Sequence, residues 1–150
     1  MANNCVFCRI MAGELPAYTV YEDKDYIAIL DAFPNINGQT LVMPKRHTDS
    51  YAFKLKDAEL REFISVTKKV ANLLEKKLKV RRVHMILEGT GVNHLHAKLY
   101  PASGTDEIFK DAIAEEHVFF ESYPGYVTSM VGPKANENAL RRLQKLITGK

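Results

Sequence analysis

Polar and apolar residues alternate with period two through residues 94–100. His94, His96 and Lys98 fall on one side, and Leu95, Ala97 and Leu99 on the other. This alternation predicts a strand over 93–101 with two unlike faces. Just upstream, the apolar run Val83-His84-Met85-Ile86-Leu87 predicts a strand over 82–88. The glycine-bearing stretch Glu88-Gly89-Thr90-Gly91-Val92-Asn93 then joins the two as a hairpin. Earlier in the chain, Thr19–Glu22 and Tyr26–Asp31 read as strands around the polar corner Glu22-Asp23-Lys24-Asp25. Thr40–Pro44 reads as a third strand that follows a Pro/Gly loop. Between 57 and 78 the period changes. Leu60, Phe63, Ile64, Thr67, Val70, Ala71, Leu74 and Leu78 recur at three- and four-residue spacing, a helix that Asp57 is placed to cap. Cys5 to Gly13 predicts a knuckle and a short helix that Gly13 can end. Beyond Pro101 the pattern weakens: a helix over 107–116, a strand over 118–123, and a final amphipathic helix through Leu140, Leu143 and Ile147.

Composition adds limits. The 150 residues suit a single domain, and neither a repeat nor a linker divides them. The motif-bearing part is 5–101, and 102–150 is an extension. With 21 basic and 18 acidic residues the net charge is only +3, and basic residues form no stripe with aromatics, so a nucleic-acid partner is not expected. No apolar run reaches membrane-spanning length. The N-terminus lacks a basic segment followed by an apolar one, which predicts a cytoplasmic protein. In a reducing compartment, Cys5-Val-Phe-Cys8 suggests a metal or redox pair rather than a structural disulfide.

Two chemistries are readable from these residues. Cys5 and Cys8 have the gap of a zinc knuckle but cannot complete a four-ligand site. His47, just past a strand end, and His94, which opens the histidine row, would complete a closed and therefore structural zinc centre. A redox pair, or two unrelated buried thiols, is the competing reading. His96 is then left free. A neutral imidazole can attack phosphorus if its other ring nitrogen donates to a fixed acceptor. Lys98, on the same face, could neutralise charge on a phosphate or leaving group. Against this stands the plainer reading, in which His96 only packs and Lys98 extends its ammonium to water.

Several ordered segments together resemble the histidine triad (HIT) superfamily of nucleotide hydrolases and transferases. They are Cys5-Val-Phe-Cys8-Arg-Ile, Ala12-Gly-Glu-Leu-Pro16, Val20-Tyr-Glu-Asp23, Ala28-Ile-Leu-Asp31, Gly38-Gln-Thr-Leu-Val-Met-Pro-Lys45, His47 and His94-Leu-His96. The resemblance implies an α+β fold with an antiparallel sheet and a long packed helix, and a homodimer whose sheets join. It implies a purine nucleotide substrate attacked at the α-phosphate by His96, giving a nucleotidyl-histidine intermediate. It places zinc on Cys5, Cys8, His47 and His94, the base against Phe7, Ile10 and Ile29, and the ribose hydroxyls on Asp31. The zinc-bearing branch is the nearest in pattern, with Lys98 standing where the triad has its third histidine. Two functions are therefore expected to compete. One is a hydrolase or transferase acting on dinucleoside polyphosphates, nucleoside phosphoramidates or adenylates. The other is a zinc-stabilised nucleotide-binding module that works through a partner.

Overall fold

The computed structural model describes residues 4–104, 118–125 and 136–148. The chain divides into two compact units, Met1–Phe109 and Lys110–Lys150.

The first unit contains helix α1 (Val6–Met11), strands β1 (Thr19–Glu22), β2 (Tyr26–Leu30) and β3 (Thr40–Pro44), helix α2 (Asp57–Leu78), and strands β4 (Val83–Ile86) and β5 (Ala97–Pro101). The five strands form one sheet in the order β1-β2-β3-β5-β4, with every neighbouring pair antiparallel. Strand pleating divides the side chains between two faces. On one face, Tyr26, Ala28, Val42, Ala97 and Leu99 pack with Leu95 against Phe63, Val66, Val70 and Leu74 of α2. On the other, Ile27, Ile29, Leu41 and Met43 pack with Cys5 and Phe7 from the N-terminal knuckle. The expected α+β arrangement is thus present, with an antiparallel sheet, a long packed helix and a Cys5–Cys8 knuckle. Among the described residues no helix is long and apolar enough to cross a membrane.

Boundaries differ from expectation in ways that affect the site. The hairpin strand begins at Ala97, not at 93. The residues before it are bonded elsewhere: the N–H of Leu95 donates to Thr48 O (2.9 Å) and that of His94 to Val92 O (2.8 Å). Alternation persists without a sheet ladder, because Leu95 is still fixed in the core. Helix α2 starts at Asp57 as expected, but the capping position is Lys56. Lysine offers no acceptor; it is the Glu59 carboxylate that accepts from Lys56 N–H (3.3 Å). Gly89 has φ +72°, and a Cβ there would come within 2.7 Å of Ser50 O. A glycine is therefore required where the 88–93 connection crosses the 47–50 segment.

In the second unit, α3 spans Glu137–Thr148, and Asn136 Oδ1 accepts from the N–H groups of Asn138 (2.9 Å) and Ala139 (3.3 Å). The strand expected over 118–123 is not formed. Phe119 and Tyr123 are exposed rather than packed on one face, so the period-two burial that sustains a strand is missing. The helix expected over 107–116 lies outside the described residues.

Candidate metal centre and nucleophile

Three chain segments bring the cysteines and two histidines together. Cys5 is the N-cap of α1 and Cys8 lies one turn on. His47 follows β3 at a distance of three residues, and His94 ends the 88–93 connection. The four ligand atoms all lie within 4.8 Å of one another. His94 Nδ1 is 3.5 Å from Cys5 Sγ and 3.6 Å from Cys8 Sγ, and His47 Nδ1 is 3.3 Å from Cys8 Sγ. With metal–sulfur and metal–nitrogen bonds of about 2.3 and 2.0 Å, tetrahedral ligands sit about 3.3–3.8 Å apart. The donor set and its spacing therefore fit a four-coordinate metal ion. His94 is prepared for this role: its Nε2 donates to Pro44 O (2.8 Å), leaving the Nδ1 lone pair facing the sulfurs. Burial lowers the His94 pKa, His47 and His96 lower it further, and the Pro44 bond only partly opposes them. The neutral, ligating form is the favoured one. Burial first, and then the Cys5 sulfur, raise the Cys8 thiol, and a bound cation would favour its thiolate.

His96 lies on the opposite sheet face from the α2 core and is 6% exposed. Its ring meets Phe7 edge-on at 5.2 Å, and the same phenyl meets His94 at 5.7 Å. His96 Nδ1 donates to the backbone carbonyl of His94 (2.7 Å). This fixes the tautomer: Nε2 carries the lone pair, with no hydrogen bond among the described residues. Burial lowers the His96 pKa and the Lys98 ammonium adds to this. The His94 carbonyl, Glu88 and Asp31 oppose them without reversing the shift. Residue 96 is thus an imidazole whose neutral form is favoured and whose Nε2 carries the lone pair.

The expectation of a triad with Lys98 in third place is overturned. The three residues do not form one working row. The His94 imidazole belongs to the Cys5/Cys8/His47/His94 cluster. Lys98 Nζ is bound to Glu88 Oε2 (3.1 Å) across the hairpin. Burial lowers the Lys98 pKa, but the Glu88 bond and charge outweigh it and the net shift is upward. The lysine is a fixed cation with its own counter-ion, not a proton-exchanging ring. Sequence reading missed Glu88, which lies two residues past Ile86, the register partner of Lys98, and reaches the ammonium with its side chain.

Ile29 is buried in the cluster that contains Phe7, and Ile10 packs against it partly exposed. Asp31 follows β2; its Oδ1 accepts from Phe33 N–H (2.9 Å) and its Oδ2 from Gln39 Nε2 (2.6 Å). A cleft of about 410 Å³ opens on the cluster, lined by Asn4, Cys5, Val6, His47, Gly91, Val92 and Asn93. A larger one of about 540 Å³ lies elsewhere, by Tyr26 and Pro44. Its Lys45 and Arg46 are held by Glu22 and Glu59, and it contains neither a nucleophile nor a ligand cluster. The smaller cleft borders Cys5 and His47 of the cluster, and neither cleft is lined by His96 or Asp31.

Comparison with known proteins agrees with this geometry. An uncharacterised HIT-like protein of Borreliella burgdorferi is 41% identical over 142 residues, 95% of this chain and 90% of that one. Among solved structures, a Streptococcus mutans protein superposes with a TM-score of 0.69 at 28% identity, covering 98% of this chain and 85% of the other. A hypothetical histidine triad nucleotide-binding protein of Sulfolobus tokodaii gives a TM-score of 0.63 at 27% identity, covering 95% and 89%. The profile of the HIT domain matches residues 12–103, well over half of the chain, and with the relatives above it makes this protein a member of the HIT domain family.

Proposed function

We propose that this protein is a nucleotide hydrolase or transferase acting at the α-phosphate of a dinucleoside polyphosphate, a nucleoside phosphoramidate or an adenylate. The observation that supports the reading is the 2.7 Å bond from His96 Nδ1 to the His94 carbonyl, which leaves Nε2 unprotonated and able to act as the nucleophile. Nε2 attacks phosphorus, the bond to the leaving group breaks, and the leaving group takes the electron pair. The ring becomes cationic, and its Nδ1–H stays hydrogen-bonded to the His94 carbonyl, which stabilises the charge. Water or another acceptor then displaces the imidazole from the nucleotidyl-histidine. Asp31 receives the ribose hydroxyls, and Phe7, Ile10 and Ile29 line the base site. The Sulfolobus relative described as nucleotide-binding supports this assignment of ligand class.

Zinc is the metal proposed for Cys5, Cys8, His47 and His94. Four protein ligands leave no open position, so the ion supplies cross-linking rather than a reactive water. The protein is further proposed to be cytoplasmic and a homodimer. The sheet ends at β4, with His84 and Met85 exposed, and a second copy pairing there would cover that edge.

With α-labelled adenine nucleotide, rapid quench is expected to trap an acid-labile label on the wild-type protein. His96→Ala should lose it and fall about 10³-fold or more in turnover. Turnover unchanged in His96→Ala would reject the mechanism. The Glu88–Lys98 pair favours a second reading, a binding module without turnover, because the Lys98 ammonium already has a counter-ion. That reading predicts micromolar nucleotide binding, unchanged in His96→Ala, with no label trapped in either protein.

A further inference from the structure

Among the described residues Gln39 is one of five buried polar or charged residues, at 5% exposure. Thr40 and Thr67 bond locally to backbone oxygens, and His94 and His96 are accounted for above. Gln39 alone of the five sends its side chain to a proposed substrate-binding group without yet having a role. Its amide has one possible orientation. The N–H of Asn35 can only donate, and it donates to Oε1 (2.9 Å), so the NH2 end faces Asp31 Oδ2 at 2.6 Å. The backbone repeats the clasp: Asp31 N–H donates to Gln39 O (2.9 Å), and Gln39 N–H to Ile36 O (3.1 Å). Phe33 N–H holds the other carboxylate oxygen. Each oxygen of Asp31 thus takes one internal bond and keeps a further acceptor site.

Two vicinal hydroxyls need two acceptors held in one plane and at fixed spacing. A carboxylate free to rotate would lose that freedom on binding, whereas one clamped on both oxygens has lost it already. The clamp is also neutral. An amide donor orients Asp31 without cancelling the negative charge that attracts hydroxyl protons. We propose that Gln39 is a positioning residue that holds Asp31 for a ribose diol, so that the site selects ribonucleotides over 2′-deoxyribonucleotides. This rests on the reading that Asp31 receives the ribose.

Calorimetric binding of AMP and 2′-deoxy-AMP to the wild type, Asp31→Ala, Gln39→Met and Gln39→Glu tests it. The wild type is expected to prefer AMP about tenfold or more, the scale of a hydrogen bond to a charged acceptor. Asp31→Ala should abolish the preference. Gln39→Met, close to glutamine in shape, should cut it below about threefold by weakening AMP while 2′-deoxy-AMP binds as before. Gln39→Glu keeps the bond from Asn35 but sets a carboxylate against Asp31, and should do the same. A residue that only supported the loop would weaken both ligands equally. In the wild-type protein, which needs no variant to fold, the Gln39 side-chain amide resonances should shift with AMP and not with 2′,3′-dideoxy-AMP. Full preference retained in both Gln39 variants would overturn the role of Gln39 and leave that of Asp31 standing. Equal binding of the two ligands by the wild type would overturn both.

Discussion

Asp23 shows how much one side chain can organise. It sits in the corner between β1 and β2, where Oδ2 accepts from Tyr21 Oη (2.7 Å) and Oδ1 from the N–H groups of Asp25 (3.0 Å) and Tyr26 (2.8 Å). Burial works against its ionised form, but these bonds outweigh it, so its pKa is lowered. A carboxylate with a depressed folded-state pKa stabilises the fold above the unfolded value of about 3.9. That contribution disappears as pH falls through the folded value. Asp23→Asn is therefore expected to cost about 1 kcal/mol at pH 7. In thermal melts the gap from wild type should close below about pH 4, and a gap independent of pH would show that the charge is irrelevant. The sequence marked this corner as polar but could not show which donors converge on Asp23. The same limit applies at the site. Cys5, Cys8, His47 and His94 were legible because their chemistry is scarce and their spacing characteristic. The Pro44 and His94 carbonyls that orient the imidazoles are backbone atoms, which no residue identity marks. The pairing of Lys98 with Glu88 depends on a strand register that periodicity leaves open.

Among the elements, the long helix and the strands were readable because burial repeats along them, with Phe63, Thr67, Val70 and Leu74 on one stripe of α2. The start of β5 was not, since His94, Leu95 and His96 are all buried while the backbone N–H groups of His94 and Leu95 bond to Val92 and Thr48 instead of a strand. Helix α1 is a different case. Its six residues are too few to hold a helix alone. It is fixed by the buried ring of Phe7 and by the two cysteines at its first turn, which face histidines from distant segments. Metal binding should therefore stabilise the N-terminal knuckle together with the 47–50 and 91–94 segments. Elemental analysis is expected to give one zinc per chain. A chelator, or Cys8→Ser, should lower the melting temperature by about 10 °C, given the several kcal/mol carried by a structural site. Metal-free protein whose melting is indifferent to chelator would remove the metal from the account.

At the scale of the whole molecule, every group that carries the functional reading lies between Cys5 and Lys98. Both packed clusters draw their residues from the same region, and the HIT profile ends at residue 103. The first compact unit closes at Phe109. Such a unit contains its own sheet, its own long helix and all four ligands of its candidate metal centre, the attributes of a segment that folds alone. The second unit supplies none of the residues proposed for chemistry. A chain ending at Gly104 is therefore expected to fold cooperatively, retain one metal per chain and bind AMP within about threefold of the full-length protein, a difference below 1 kcal/mol. Zinc content, a thermal melt and calorimetry with AMP measure the three. Metal retained with AMP binding weakened more than about tenfold would mean that residues 105–150 contribute directly to the nucleotide site, and that the site proposed from the first unit is incomplete.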